Sequence, residues 1–128
     1  MQAASLTQVF IVDDSAAIRA RLVEMLSRLD AVRVIGEATN ARDAIAGILN
    51  LRPDSVVLDL NLYGANGLEV LRTVHVRAPE IAFIVLTNHA EAQYRRACSA
   101  AGARYFLDKS REFERIPQVL SEIASVPH

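Results

Sequence analysis

The chain has a single cysteine, Cys98, and no tryptophan. One thiol excludes any intramolecular disulfide and cannot build a Cys-rich zinc site. Aromatic residues are 5% of the total, too few for the stacking platforms that hold single-stranded nucleic acid. Neither sign of charge dominates: 14 Lys plus Arg face 15 Asp plus Glu, a formal net charge of -1. The basic footprint needed for non-specific nucleic-acid or membrane-surface binding is missing. No apolar run approaches the ~20 residues that span a bilayer. Met1 to Thr7 lacks the basic start and long apolar run of a signal peptide. The expectation is a cytoplasmic protein that touches neither nucleic acid nor membrane directly.

What is present is an ordinary globular composition, 52% hydrophobic and 23% charged over 128 residues. That length predicts one domain, 1–128 with a core of about 8–125, able to bury its core without covalent staples.

Short apolar runs alternate with longer periodic stretches. Val9 to Val12 reads as a strand that stops at Asp13-Asp14-Ser15. Ile18, Leu22, Met25 or Leu26, and Leu29 then recur at helical spacing, with Asp14 or Ser15 as the cap. Val32 to Ile35 is a second strand closed by Gly36, and Asn40 caps a helix carrying Ala44, Ile45, Ile48 and Leu49. Ser55 to Leu60 is a third strand, followed by a loop from Asn61 to Gly67. Leu68, Leu71 and Val74 mark a third helix, and Ile81 to Leu86 a fourth strand. Glu91 to Ala101 is a helix ended by Gly102, and Tyr105 to Leu107 a fifth strand. The last helix spans about Glu112 to Ala124, with Ile116, Leu120 and Ile123 inward. Pro117 fits there only in a first turn, where its missing N–H costs nothing. Five such units, with near-continuous apolar strands, predict an α/β doubly wound parallel sheet covered on both faces.

In such a sheet, ligands bind beyond the carboxyl ends of the strands. Those ends carry Asp13 and Asp14, Asp59, Thr87, and Lys109. Each has a bland reading when taken alone: Asp-Asp-Ser is an N-cap, and Asp59 is turn chemistry. Together, three carboxylates repel one another; a hard divalent cation can bind between them, and the ammonium of Lys109 can pair with one. Carboxylates, a cation, a hydroxyl and a lysine suit a phosphoryl group. Aspartate is a known acceptor of such groups. Cys98 reads as a small apolar side chain, His75 as a helix-surface residue, His128 as a tail residue, and Arg95 and Arg96 as a solvated face.

The segments Val9-Phe10-Ile11-Val12-Asp13-Asp14-Ser15, Val57-Leu58-Asp59-Leu60, Ile84-Val85-Leu86-Thr87 and Tyr105-Phe106-Leu107-Asp108-Lys109 resemble the receiver domain of two-component response regulators. The resemblance implies a flavodoxin-like (βα)5 fold with strand order 2-1-3-4-5. It implies that Asp59 is the phosphoacceptor. Asp13, Asp14, Asp59 and the backbone carbonyl of Asn61 would hold Mg²⁺ (or Mn²⁺). Thr87 and Lys109 would bind phosphoryl oxygens, and Thr87 with Phe106 would form the switch. Asn61 and His89 would tune dephosphorylation. The implied donor is a sensor histidine kinase or phosphotransfer protein. The implied reader is a downstream protein target, with the chain a monomer or a weak phosphorylation-dependent dimer. Tyr63 and Ser110 stand where many receivers have proline, and Gly64 and Gly67 loosen the loop further.

The function expected on this resemblance is a signalling phosphoacceptor with no enzymatic turnover beyond its own phosphorylation and dephosphorylation. It is read as a stand-alone regulator, because the chain begins with methionine and ends soon after the last helix. The alternatives are the receiver piece of a longer DNA-binding regulator and a Mg²⁺-dependent phosphohydrolase. The latter usually needs an acid-base partner near the nucleophile and a lid, and neither is visible. A flavin or nucleotide module would need a phosphate loop where Asp-Asp-Ser stands, and those carboxylates repel phosphate.

Overall fold

Runs such as Val9 to Val12 become strands because both of their faces find a cover. In the computed structural model, which describes residues 6–62 and 65–125, five strands pair in parallel. They are β1 (Thr7–Val12), β2 (Val32–Ala38), β3 (Ser55–Leu58), β4 (Ala82–Thr87) and β5 (Tyr105–Asp108). Their order is β2-β1-β3-β4-β5, the 2-1-3-4-5 arrangement expected. The helices are α1 (Ala16–Ser27), α2 (Ala41–Leu51), α3 (Gly67–Arg77), α4 (Ala92–Ala100) and α5 (Ile116–Ser125). Among the described residues, no helix is long and apolar enough to cross a membrane.

The two-residue period of the strands sorts side chains between two cores. Val9, Ile11, Val57, Ile84 and Leu86 join Leu22 and Leu26 of α1 and Ile116, Val119, Leu120 and Ile123 of α5. Phe10, Val12, Val56, Leu58, Phe83 and Val85 face α2 and α3, with Cys98 of α4 among them. Each fully buried side chain of this size contributes roughly 1.5–3 kcal/mol, so the sheet is the rigid frame on which the strand ends sit. Burial pushes the Cys98 thiol up, against the opposing charge of Arg72.

Several boundaries differ from the sequence reading. Gly36 does not close β2: the strand runs through it to Ala38, with a register shift opposite Val9 and Phe10. A Cβ on Gly36 would stand 2.5 Å from the Phe10 ring, so its hydrogen makes room for an aromatic neighbour. The segment expected as a loop after β3 contains a small antiparallel ribbon, Asn61–Leu62 against Ala65–Asn66. Gly67 belongs to α3, capped by Asn66, whose side chain accepts from the Leu68 amide at 2.9 Å. The last helix is interrupted. A helical turn, Lys109–Glu112, and a 3₁₀ turn, Phe113–Arg115, precede α5. Pro117 then falls in the first turn of α5, as its missing N–H requires. Ser15, not Asp14, caps α1: its Oγ accepts from the Ile18 amide at 3.2 Å.

His75 is not a plain surface residue. It is partly buried, and a Cβ on Gly102 would lie 2.6 Å from its ring. Gly102 has φ +106°, a conformation L side chains rarely adopt, so glycine serves both the turn after α4 and the imidazole against it. Tyr63, Gly64 and His128 lie outside the described residues.

Candidate functional site

Strand register builds the site. Val12 pairs with Leu58, so the next residues, Asp13 and Asp59, leave the sheet side by side. The Asp59 amide donates to the Val12 carbonyl at 2.9 Å, extending the ladder by one bond. Thr87 pairs with Asp108, which puts Lys109 just beyond the same edge. The five residues singled out at the strand ends thus share one edge of the sheet.

One oxygen from each of Asp13, Asp14 and Asp59 lies within 4.8 Å of the others. Asp13 and Asp59 are buried, and Asp14 is half-buried. Two ionised carboxylates at that range repel by roughly 3–4 kcal/mol in a surface-like dielectric. Lys109 offsets this, and more fully than the sequence reading required. Its Nζ donates to Asp13 Oδ2 at 2.7 Å and to Asp59 Oδ2 at 3.0 Å, bridging two acids where one partner was expected. Burial by itself would lower the Lys109 pKa. The hydrogen bonds to Asp13 and Asp59, with their charges, outweigh it and hold the ammonium above its ordinary value.

The same local turn recurs at four strand ends, Asp108 with the Ser110 amide being one of them. Asp13 Oδ1 accepts from the Ser15 amide at 2.8 Å, Asp59 Oδ1 from the Asn61 amide at 3.2 Å, and Thr87 Oγ1 from the His89 amide at 3.1 Å. Asp and Thr side chains form such turns readily, because the short polar group reaches the amide two residues on. The Asp13 and Asp59 carboxylates therefore each have one oxygen on a backbone amide and the other on Lys109. The Thr87 hydroxyl, wholly buried, keeps its own hydrogen for donation. Beside Asp59 lies a cleft of about 290 Å³ lined by Leu60, Asn61, Asn66, His89 and Tyr94. The His89 ring tilts against Tyr94 there, with centroids 5.8 Å apart.

The carboxylate trio is the donor chemistry of a hard divalent cation. Asp13, Asp14 and Asp59 fit such an ion, since the carboxylate oxygens of Asp13 and Asp59 keep lone pairs beyond their single hydrogen bonds.

Phe106 is half-buried on β5. Arg95, read from sequence as a solvated residue, lies over its ring at 4.6 Å and donates to its carbonyl at 3.2 Å. No peptide bond is cis among the described residues, Lys109–Ser110 included. Ser110 instead uses the N–H that a proline would lack. Its amide and hydroxyl both donate to Asp108 Oδ1, at 2.9 and 2.7 Å, starting the turn that follows Lys109.

This turn has an acid signature. The Ser110 hydroxyl, then its amide, hold the Asp108 carboxyl below its ordinary 3.8. The Asp108 amide, then Arg115, hold Glu112 below 4.5. Both values are lowered, so what these groups contribute to stability is present above their ordinary values. It is lost as pH falls through the lowered ones. A carbon-detected NMR titration should put the two midpoints under 3.8 and 4.5. Ser110→Ala should return Asp108 toward its ordinary value and leave Glu112 low. Unshifted midpoints in the wild type would show the turn to be open in solution.

Two residues near the carboxylates were invisible to sequence reasoning. Arg19 donates to the Asp13 carbonyl at 2.8 Å from α1. Gly67 meets the backbone of Asp59 so closely that a Cβ would stand 2.3 Å from its carbonyl oxygen. Only the Arg19 spacing, one helical turn past Ser15, hints at the first.

The comparisons with known proteins agree with this geometry. Residues 9–121 match the response regulator receiver domain. The chain is 28% identical to the DNA-binding transcriptional activator DevR/DosR of Mycobacterium tuberculosis, over 94% of its own length and 55% of that protein's. It is 35% identical to protein-glutamate methylesterase/protein-glutamine glutaminase 2 of Pseudomonas fluorescens, over 90% of its length and 32% of that protein's. The chain thus spans about half, or a third, of these curated relatives. Among solved structures, the response regulator domain of Thermotoga maritima CheB superposes with a TM-score of 0.84 at 25% identity, covering 96% of this chain and 99% of that one. A chain that matches this family over nearly its whole length, with its acids, hydroxyl and lysine gathered at one sheet edge, belongs to the response regulator receiver domains of two-component signalling.

Proposed function

We propose that the chain takes a phosphoryl group onto Asp59 from a sensor histidine kinase or phosphotransfer protein. The altered surface is then read by a protein target. One observation carries this reading: the Asp59 carboxylate is buried at a strand end, with the Lys109 ammonium 3.0 Å from Oδ2 and two further carboxylates beside it. An Asp59 oxygen attacks phosphorus and a P–O bond forms. The P–N bond to the donor imidazole breaks, and the leaving nitrogen keeps the electron pair. Asp13, Asp14, Asp59 and the Asn61 carbonyl would hold Mg²⁺ (or Mn²⁺), which when bound would supply positive charge to offset the negative charge of the phosphoryl group. Lys109 exchanges one carboxylate for a phosphoryl oxygen, and the Thr87 hydroxyl donates to another. Because Thr87 sits beside β5, its movement frees space for the Phe106 ring to turn inward, away from Arg95. That is a population shift biased by one new anionic group.

The aspartyl phosphate ends by attack of water on phosphorus, which returns the Asp59 carboxylate and releases inorganic phosphate. Asn61 and His89 both line the cleft beside Asp59, and in this reading they flank that path. Exchanging both for alanine should change the decay rate of the phosphorylated form severalfold, read by intact mass against time. An unchanged lifetime would remove them from this role.

The partial coverage of full-length regulators leaves two settings open for the same chemistry: a stand-alone cytoplasmic regulator, monomeric or weakly dimeric when phosphorylated, or the receiver portion of a longer protein. A phosphohydrolase is not favoured, because no lid covers the cleft among the described residues. The deciding experiment is intact mass after incubation with acetyl phosphate and Mg²⁺, with and without chelator.

A further inference from the structure

We infer that Arg19 is a positioning residue for cation binding, one that fixes the backbone of Asp13 so that its carboxylate meets the ion already oriented. The inference rests on the receiver reading of the site.

Arg19 lies in the first turn of α1 and reaches back over it. Its Nη1 donates to the Asp13 carbonyl at 2.8 Å. Its Nε donates to Glu37 Oε1, near the end of β2, at 3.2 Å. The side chain is 18% exposed, against 43% for Glu37, so the guanidinium is largely withdrawn from water while its partner stays at the rim. Asp13 is the most constrained acid of the trio. Its amide donates to the Ala38 carbonyl at 3.1 Å, Oδ1 takes the Ser15 amide, and Oδ2 takes Lys109. Arg19 supplies the remaining restraint, on the carbonyl. All four polar atoms of Asp13 are then held, and the peptide after β1 cannot rotate. The planar fork of arginine makes this possible: two nitrogens serve two partners in fixed directions, which a lysine cannot do.

Charge alone argues the other way. A guanidinium next to a cation site repels the cation, so removing it should tighten Mg²⁺ binding if electrostatics were its whole effect. Groups that hold a ligand in place typically change metal affinity by about 10–100-fold when lost. The two accounts therefore predict opposite signs.

The test is Mg²⁺ titration by isothermal calorimetry on wild type, Arg19→Met, Arg19→Lys and Glu37→Gln, with a urea melt of each. Arg19→Met keeps an apolar stem and should weaken Mg²⁺ binding by about tenfold. Arg19→Lys should fall between it and wild type. Glu37→Gln, which leaves the bond to Asp13 in place, should bind Mg²⁺ as wild type does. In phosphorylation with acetyl phosphate, Arg19→Met should need about tenfold more Mg²⁺ for half-maximal rate, yet reach a similar rate at saturation. Equal or tighter Mg²⁺ binding by a folded Arg19→Met would overturn the inference. So would a loss in Glu37→Gln as large as in Arg19→Met, because the effect would then lie in the ion pair. A wild type that binds no Mg²⁺ would instead sink the receiver reading itself.

Discussion

Asp59→Asn should gain no mass when incubated with Mg²⁺ and acetyl phosphate, whereas the wild type should gain one phosphoryl group of about 80 Da that is lost on standing. The substitution is chosen because it removes the nucleophile and little else. The amide oxygen of asparagine can still accept from the Asn61 amide, which now binds Asp59 Oδ1. Lys109 keeps Asp13, its shorter partner at 2.7 Å. The variant also carries one fewer charge in a cluster that repels itself, so it should melt in urea no earlier than wild type. A missing adduct in a folded variant then reports chemistry and not collapse. Chelating Mg²⁺ should abolish the wild-type adduct as well, since the other cation, Lys109, is one charge facing two buried acids. An adduct of the same yield in Asp59→Asn would place the acceptor elsewhere and end the assignment. An adduct in wild type that survives chelation would separate the acceptor from the metal and leave the acidic trio without its proposed purpose.

The site was legible in the sequence to the extent that the strands were. Val9 to Val12 and Ile84 to Leu86 are continuous apolar runs because both sheet faces are covered, so each run ends where the sheet ends. The first polar residue after it must stand at the rim. Asp13, Asp59 and Thr87 could be placed together on that ground alone, and Lys109 follows one residue after Asp108, the first polar residue of its run. The misread elements are those whose reason lies across space. Gly36 looked like a strand end, but it is where the ring of Phe10 passes. The segment after Asp59 is full of glycine and asparagine, yet it folds back as a ribbon. Its residues are too few and too polar to show a two-residue period. His75 looked like a surface residue, because nothing local reveals that Gly102 leaves a place for its ring. Arg95 and Arg19 have ordinary exposed-helix spacing. That one lies over Phe106 and the other holds the Asp13 carbonyl follows only from the packing of α4 on β5 and of α1 on β1. Lys109 was expected to neutralise one acid and bridges two, a consequence of the in-register ends of β1 and β3.

Gly67→Ala should damage both stability and phosphorylation, although by helix propensity it ought to help. Alanine in place of glycine is worth up to about 1 kcal/mol in a helix interior, and less at Gly67, the first residue of α3. Here the added methyl would stand 2.3 Å from the Asp59 carbonyl oxygen, 2.8 Å from Leu60 Cα and 3.1 Å from the Asp59 carbonyl carbon. All three are backbone atoms, so no rotamer change relieves the clash. Gly67 is also tied to this stretch by its own amide, which donates to the Leu60 carbonyl at 2.7 Å. Either the start of α3 lifts away and lengthens that bond, or the Asp59–Leu60 peptide shifts and carries the acceptor with it. Overpacking of this kind typically costs about 1–3 kcal/mol, which outweighs the propensity gain and lowers the urea midpoint. The functional loss should be larger than the stability loss. Displacing a reacting group by about an ångström can cost on the order of a hundredfold in rate, and Asp59 must meet phosphorus while Lys109 stays within reach of it. The measurement pairs a urea melt with the rate of acetyl phosphate labelling at saturating Mg²⁺, taken where the variant is still fully folded. A lowered midpoint with a labelling rate reduced at least tenfold is expected. A variant that melts and labels as wild type does would mean that α3 can withdraw without moving Asp59, and the contact would then be a matter of packing and not of holding the acceptor in place.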